Sequence, residues 1–342
     1  MRVLVIGAGA LGGYYGACLV RAGRDVSFLV REKRAEQLRR NGLQVVSPHG
    51  DFAVQPKLLA VGDLREPFDV VLVGVKAYSL DDAMSQFAPA IGPSTMVLPI
   101  LNGLKHIDAL TVRFGAAHVL GGLANVSAGL DADGRVVHFM ANQTIVFGEV
   151  GGALSERALA LEKLLQVPGI DVRASEAIMQ DMWEKFVQLS TLAGITCLMR
   201  ASIGDILAVP NGEQSIFRLF AECCAVATAS GFEPRAPFIE FDRKLFTTLD
   251  SPLKASMLRD IERGSITEAE HILGDMANRA RTLGIETPLL DLARAHVAAY
   301  EVGRRRAGAN PPRSAGSLRR ARTDTKGSAA PRRARPSAWD RP

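Results

Sequence analysis

The chain has 342 residues, 47% of them hydrophobic, which is enough for two domains with separate cores. No run of 18 uninterrupted apolar residues occurs, so no membrane span is expected. The formal charge of +5 does not describe a basic protein: residues 304–342 hold eleven Arg and one Lys against two Asp, a net of +10, leaving −5 for the rest. This tail, rich in Arg, Ala, Pro, Ser and Gly, is expected to be disordered and peripheral, with no specific nucleic-acid partner.

The chain opens on the apolar strand Met1–Ile6, the turn Gly7-Ala8-Gly9-Ala10-Leu11-Gly12, a helix over Tyr14–Ala22 and a second strand, Asp25–Val30. A Gly-x-Gly-x-x-Gly turn in this context is a dinucleotide-binding signature. Gly7 permits the tight turn, Gly9 lets the backbone approach a pyrophosphate, and Gly12 lets helix and sheet pack closely. The helix N-terminus offers free N–H groups to that anion. At the end of the second strand, where an NAD site places Asp or Glu, stand Arg31-Glu32-Lys33-Arg34. A guanidinium at Arg31, with Lys33 and Arg34 beside it, suits the 2′-phosphate of NADP. Arg31 facing water is the plainer alternative, and Glu32 keeps NAD open.

Arg34–Arg40 reads as a short helix. Apolar runs follow at Leu43–Val46, Leu58–Val61, Val70–Val75, Met96–Ile100, Val119–Leu123, Val136–Phe139, Thr144–Phe147 and Ile170–Val172, with helical stretches at Leu80–Phe87 and Ala153–Gln166. The alternation predicts an α/β Rossmann domain, doubly wound on a mainly parallel sheet. Its last strands lie too close together for helices between them, so a mixed or antiparallel edge is expected. From Ser175 the chain reads as helical: Glu176–Met199, Glu213–Ser230, Pro237–Thr248, Pro252–Arg263, Thr267–Leu283 and Pro288–Arg304. The expected organisation is a cofactor domain over 1–172, an all-α substrate domain over 173–303, and the tail from 304. Substrate belongs in the cleft between the domains.

Four residues stand where chemistry could gather. Lys76 ends the strand Val70–Val75 on the cofactor side of the sheet, unless it is an ordinary surface lysine. Asn102 ends the next strand, where its amide can meet a ribose or carboxamide, although Asn-Gly is also a common turn pair. Lys185 lies in the long helix after Trp183, and a positioned ammonium can stabilise and protonate a ketone oxygen as hydride arrives. Glu268 has two readings: as a partner for substrate and lysine, or as half of a capping box with Ser265; on the residues alone the capping box is favoured. The four cysteines, Cys18, Cys197, Cys223 and Cys224, include no Cys-x-x-Cys pair and suit a reduced, cytoplasmic protein. The six histidines lack metal-ligand spacing, and no metal is expected.

The order and spacing of Gly7-Ala-Gly9-Ala-Leu-Gly12, Arg31, Lys76, Asn102-Gly103, Trp183-x-Lys185, Ser256-Met-Leu-x-Asp260 and Thr267-Glu268 resemble the ketopantoate reductase (2-dehydropantoate 2-reductase) family over about residues 1–303. The resemblance implies NADPH-dependent reduction of a 2-oxo acid, in pantothenate biosynthesis or on a close analogue. It implies that Arg31 meets the 2′-phosphate and that Lys76 and Asn102 line the cofactor and substrate cleft. Lys185 would be the general acid, Ser256 would hold the substrate carboxylate, and Glu268 would orient substrate and lysine. A homodimer is allowed but not required. One departure stands out: the family's usual asparagines four and eight residues after the lysine are here Leu189 and Ala193. That keeps open a related dehydrogenase for another hydroxy acid, or an NADP-binding sensor that turns nothing over.

Overall fold

The computed structural model describes residues 1–309. Five parallel strands form the first sheet: β1 (Arg2–Ile6), β2 (Asp25–Leu29), β5 (Lys57–Leu59), β6 (Val70–Val73) and β7 (Met96–Pro99). Their order is β5-β2-β1-β6-β7. Crossing from β5 back to β6 on the far side of β1 creates a topological switch point, the crevice where doubly wound sheets bind their ligands. Helices α1 (Ala10–Arg21), α2 (Glu32–Asn41) and α3 (Leu80–Phe87) lie in connections between these strands, and α4 (Lys105–Phe114) follows β7 towards the second sheet. The sheet is continuously apolar, with all four residues of β6 and β7 buried, as a sheet covered on both faces requires.

The expected mixed edge is a second sheet. Its strands are β3 (Leu43–Val46), β4 (Phe52–Val54), β8 (Leu120–Leu130), β9 (Val136–Glu149) and β10 (Asp171–Ala174). The runs Val136–Phe139 and Thr144–Phe147 are one strand, β9, which pairs along its length with β8 in antiparallel register. On its other edge β9 takes β3 near its start and β10 near its end, both parallel. A bridge from Val97 to Val119 ties the two sheets. Helix α5 (Glu156–Leu165), capped by Ser155, precedes β10, which extends past the expected boundary at 172 to Ala174.

The helical part comprises α6 (Ile178–Met199), α7 (Ile203–Leu207), α8 (Gly212–Ala229), α9 (Ala236–Phe246), α10 (Ser256–Glu262), α11 (Ala269–Thr282) and α12 (Pro288–Ala309). No described helix is long and apolar enough to cross a membrane. Residues 304–309, assigned to the tail by composition, belong to α12, with Arg304 bonded to Glu301 one turn back. The remainder of the expected tail lies outside the described residues.

Two apolar cores organise the molecule. One packs α1, α5 and the second sheet against one face of the parallel sheet. The other begins on the opposite face, at Leu4, Ile6, Val71 and Val73, and runs without interruption through Met182, Trp183 and Phe186 of α6 into α8, α10 and α11.

Beside this core, α9 docks on α6 through a hydrogen bond that Gln188 Nε2 donates to Asp242 Oδ1. Asp242 is fully buried and its Oδ2 has no partner among the described residues. Burial pushes this carboxyl up from 3.8 to about 7. The native protein therefore holds a proton there that the unfolded chain releases at lower pH, so stability declines as pH rises between those values. Asp242→Asn keeps an acceptor for Gln188 and removes the charge. It is expected to raise the melting temperature more at pH 8 than at pH 5, as thermal unfolding at the two pH values would show.

Candidate active site

Four sequence-predicted residues stand just beyond the carboxyl ends of the parallel strands: the turn at Gly7 after β1, Arg31 after β2, Lys76 after β6 and Asn102 after β7. The glycine turn is built as the motif requires. Gly7 sits at φ +87°, a left-handed value that suits glycine. A Cβ on Gly12 would lie 2.1 Å from the Gly7 carbonyl oxygen, so this helix–turn contact exists only without a side chain. A Cβ on Gly9, by contrast, would meet nothing within 4 Å. There is open space where an anion would approach, and Gly9 caps α1 with no side-chain hydrogen bond, leaving the first-turn N–H groups of Ala10 and Leu11 free of a side-chain cap. Ala8 is buried beneath the turn.

Arg31 is exposed, its guanidinium 3.5 Å from Ser79 Oγ and 4.0 Å from an Asp82 carboxylate oxygen. Arg34 is not its companion. Its side chain turns under the glycine loop, donating to the carbonyls of Ala8 at 3.0 Å and Gly134 at 2.8 Å and to Gln37.

The helical part supplies the other wall. Lys185 rises from α6 with its stem buried, and Nζ donates to the Ala124 carbonyl of β8 at 2.5 Å. No carboxylate is bonded to it among the described residues, and burial alone pulls its ammonium down to about 8. On the same helix Trp183 and Phe186 are core residues and the polar Ser190 is buried.

Glu268 does not form the capping box with Ser265 favoured on the residues alone, and it does pair with a lysine, Lys76. It stands at the N-cap of α11 without capping it. Its carboxylate reaches across the cleft instead, accepting from the Ala77 backbone N–H at 2.9 Å and from Lys76 Nζ at 2.8 Å. Asp260 of α10 lies 3.5 Å from the same ammonium. Burial opposes the charge on Lys76, but the Glu268 carboxylate outweighs it and the lysine is held above its ordinary value. Ser256, exposed, is one turn before Asp260 and so lies on the same side of α10. Asn102 is half-buried.

Two residues dismissed from the sequence complete the site. His106, in the first turn of α4, and His271, one turn after Glu268, stack with ring centroids 5.6 Å apart. Nδ1 of His106 lies 3.3 Å from Nε2 of His271. His106 is fully buried; burial, His271 and the nearby charge of Lys185 hold its pKa well below the usual range, and burial also lowers His271. The signal for both was proximity in sequence to candidates already named, four residues after Asn102 and three after Glu268.

The comparisons agree with this architecture. Residues 3–152 match the model of the ketopantoate reductase PanE/ApbA family, and residues 177–301 match its C-terminal counterpart. This chain belongs to the ketopantoate reductase family. The uncharacterised oxidoreductase YkpB of Bacillus subtilis is 38% identical over 302 residues, 88% of this chain and 99% of that protein. The 2-dehydropantoate 2-reductase of Mesorhizobium japonicum is 28% identical over 89% of this chain and 99% of its own length. Among solved structures, 2-dehydropantoate 2-reductase from Geobacter metallireducens superposes with a TM-score of 0.80 at 29% identity, covering 87% of this chain and 99% of that one. The chain is thus an oxidoreductase-family protein with an N-terminal α/β part and a helical C-terminal part.

The ion pair between Lys76 and Glu268 is one of the polar contacts that join the two parts across the cleft. In a double-mutant cycle of Lys76→Met and Glu268→Gln followed by urea unfolding, a coupling of about 0.5–1 kcal/mol is expected, because Lys76 remains half-exposed and screened. The coupling should shrink in 1 M salt.

Proposed function

We propose that this protein is an NADPH-dependent reductase that converts a 2-oxo acid related to 2-dehydropantoate into its 2-hydroxy acid. The observation that carries the reading is Lys185, a half-buried cation at the seam between the two parts, bonded to a carbonyl rather than a carboxylate, and lowered to about 8. Such a group is charged at neutral pH yet gives up its proton readily, the property a general acid needs.

The empty space above Gly9 and the first turn of α1 fit a pyrophosphate, and the exposed Arg31 guanidinium beside Ser79 fits a 2′-phosphate. The bound dinucleotide would supply the hydride. Asn102, with donor and acceptor in one amide, would fix a carboxamide or substrate oxygen at the end of β7. Ser256 would bind the substrate carboxylate from α10. As the ketone carbon is reduced, Lys185 would stabilise the developing negative charge on oxygen and deliver the proton to it. Glu268 would act through Lys76 and the Ala77 N–H, holding the strand end in place against α11. The relatives named 2-dehydropantoate 2-reductase support the reaction class.

Three measurements test the assignment. Lys185→Ala should lower kcat for reduction by two orders of magnitude or more with NADPH binding retained, and unchanged turnover would remove Lys185 from the mechanism. In the unaltered enzyme, reduction needs the ammonium, so kcat should be flat below pH 8 and fall about tenfold per pH unit above it. Arg31→Ala should raise KM for NADPH far more than KM for NADH, as initial rates with the two cofactors would show. An equal effect on both would reject the phosphate assignment.

A further inference from the structure

We propose that the physiological substrate carries an apolar side chain without a hydroxyl group, and that Leu189 determines this specificity. The inference rests on the reductase reading and refines it.

Lys185, Leu189 and Ala193 recur at four-residue intervals along α6 and share one face of that helix. A ketone placed for protonation by Lys185 therefore meets Leu189, which is half-buried, as the next residue on that face, with Ala193 closed into the core behind it. Neither offers a hydrogen bond. The polar residues nearby along the helix are already engaged or out of reach. Gln188 donates its amide to Asp242 on the side where α9 packs. The hydroxyls of Thr191 and Thr196 donate to the helix's own carbonyls, at Val187 and Leu192, over 2.9 and 2.6 Å. Ser190 is fully buried and turned away from the Lys185 face by its position in the helix. The carbonyl of Ala124, the acceptor closest to Lys185 in bonding terms, is taken by Lys185 itself.

A hydroxyl carried against this face of α6 would leave water and find no free partner on the helix, whereas a branched alkyl or aryl group would bury apolar surface against Leu189. A hydrophobic pocket discriminates against an added hydroxyl by up to about a hundredfold. The reaction balances for any such acid. C2 gains a hydride from the reduced nicotinamide, the carbonyl π pair moves to oxygen, and that oxygen takes a proton from Lys185 Nζ. The ketone is reduced to a secondary alcohol, the dinucleotide is oxidised, and water returns the proton to Lys185.

The test compares kcat/KM for 4-methyl-2-oxopentanoate and 2-dehydropantoate, with NADPH and with NADH, in the full chain and in Leu189→Asn. The unaltered enzyme is expected to favour 4-methyl-2-oxopentanoate by tenfold or more. Leu189→Asn should move the ratio at least tenfold towards 2-dehydropantoate; Leu189→Ser, checked by NADPH fluorescence, provides a second variant should Asn prevent folding. Preference of the unaltered enzyme for 2-dehydropantoate, or a ratio that neither variant moves, overturns the specificity proposal and leaves the reductase reading standing. Failure to oxidise either cofactor with both acids overturns the two together.

Discussion

The continuous apolar core from β1 and β6 into α6 is the constraint on which the rest depends. Because Trp183 and Phe186 are fixed in that core, the rotation of α6 is set, and Lys185, on a neighbouring face of the helix, is held half-buried at the core's edge. Its ammonium must emerge at the edge of the core, against the Ala124 carbonyl of the second sheet. The same packing leaves polar side chains at the rim, where the strand ends of the α/β part meet the starts of α10 and α11. The site is thus the boundary of a hydrophobic contact, and its electrostatics follow from where water stops.

Parts of this were legible in the residues and parts were not. The first strand, glycine turn and helix declare themselves because a steric demand at Gly7 and Gly12 leaves one residue type that fits. Helix α6 and its register were legible because large aromatic residues recur at helical spacing. The second sheet was hidden. The strand β8 reads Leu-Gly-Gly-Leu-Ala-Asn-Val-Ser-Ala-Gly-Leu, with little of the β-branched content that marks strands, and the middle of β9, Met140-Ala-Asn-Gln143, is largely exposed and without β-branched residues. Pairing across a long hairpin overrides those local preferences.

Glu268 shows the same limit at the site. Local rules favour a capping box with Ser265, since the spacing is right and the helix start is near. The cleft offers a stronger demand, a lysine and a free backbone N–H on the opposite wall, and the carboxylate satisfies both. A sequence displays the local competitor and conceals the distant one. Arg34 is the reverse case: it looked like a phosphate ligand, and its fork is spent instead on carbonyls beneath the turn it was expected to serve from above.

The stacked imidazoles of His106 and His271 carry one more implication. Both rings are kept neutral by burial, and a single hydrogen can lie between Nδ1 of one and Nε2 of the other. Each neutral ring bears one N–H, so the two rings must share a tautomer: both carry the hydrogen on Nδ1 or both carry it on Nε2. The couple therefore has two arrangements of equal charge, and Nε2 of His106, enclosed and unmatched, is bare in one and protonated in the other. Passing from one to the other requires a proton delivered to Nε2 of His106 and another removed from Nδ1 of His271, and the enclosure of Nε2 among the described residues denies the couple that route.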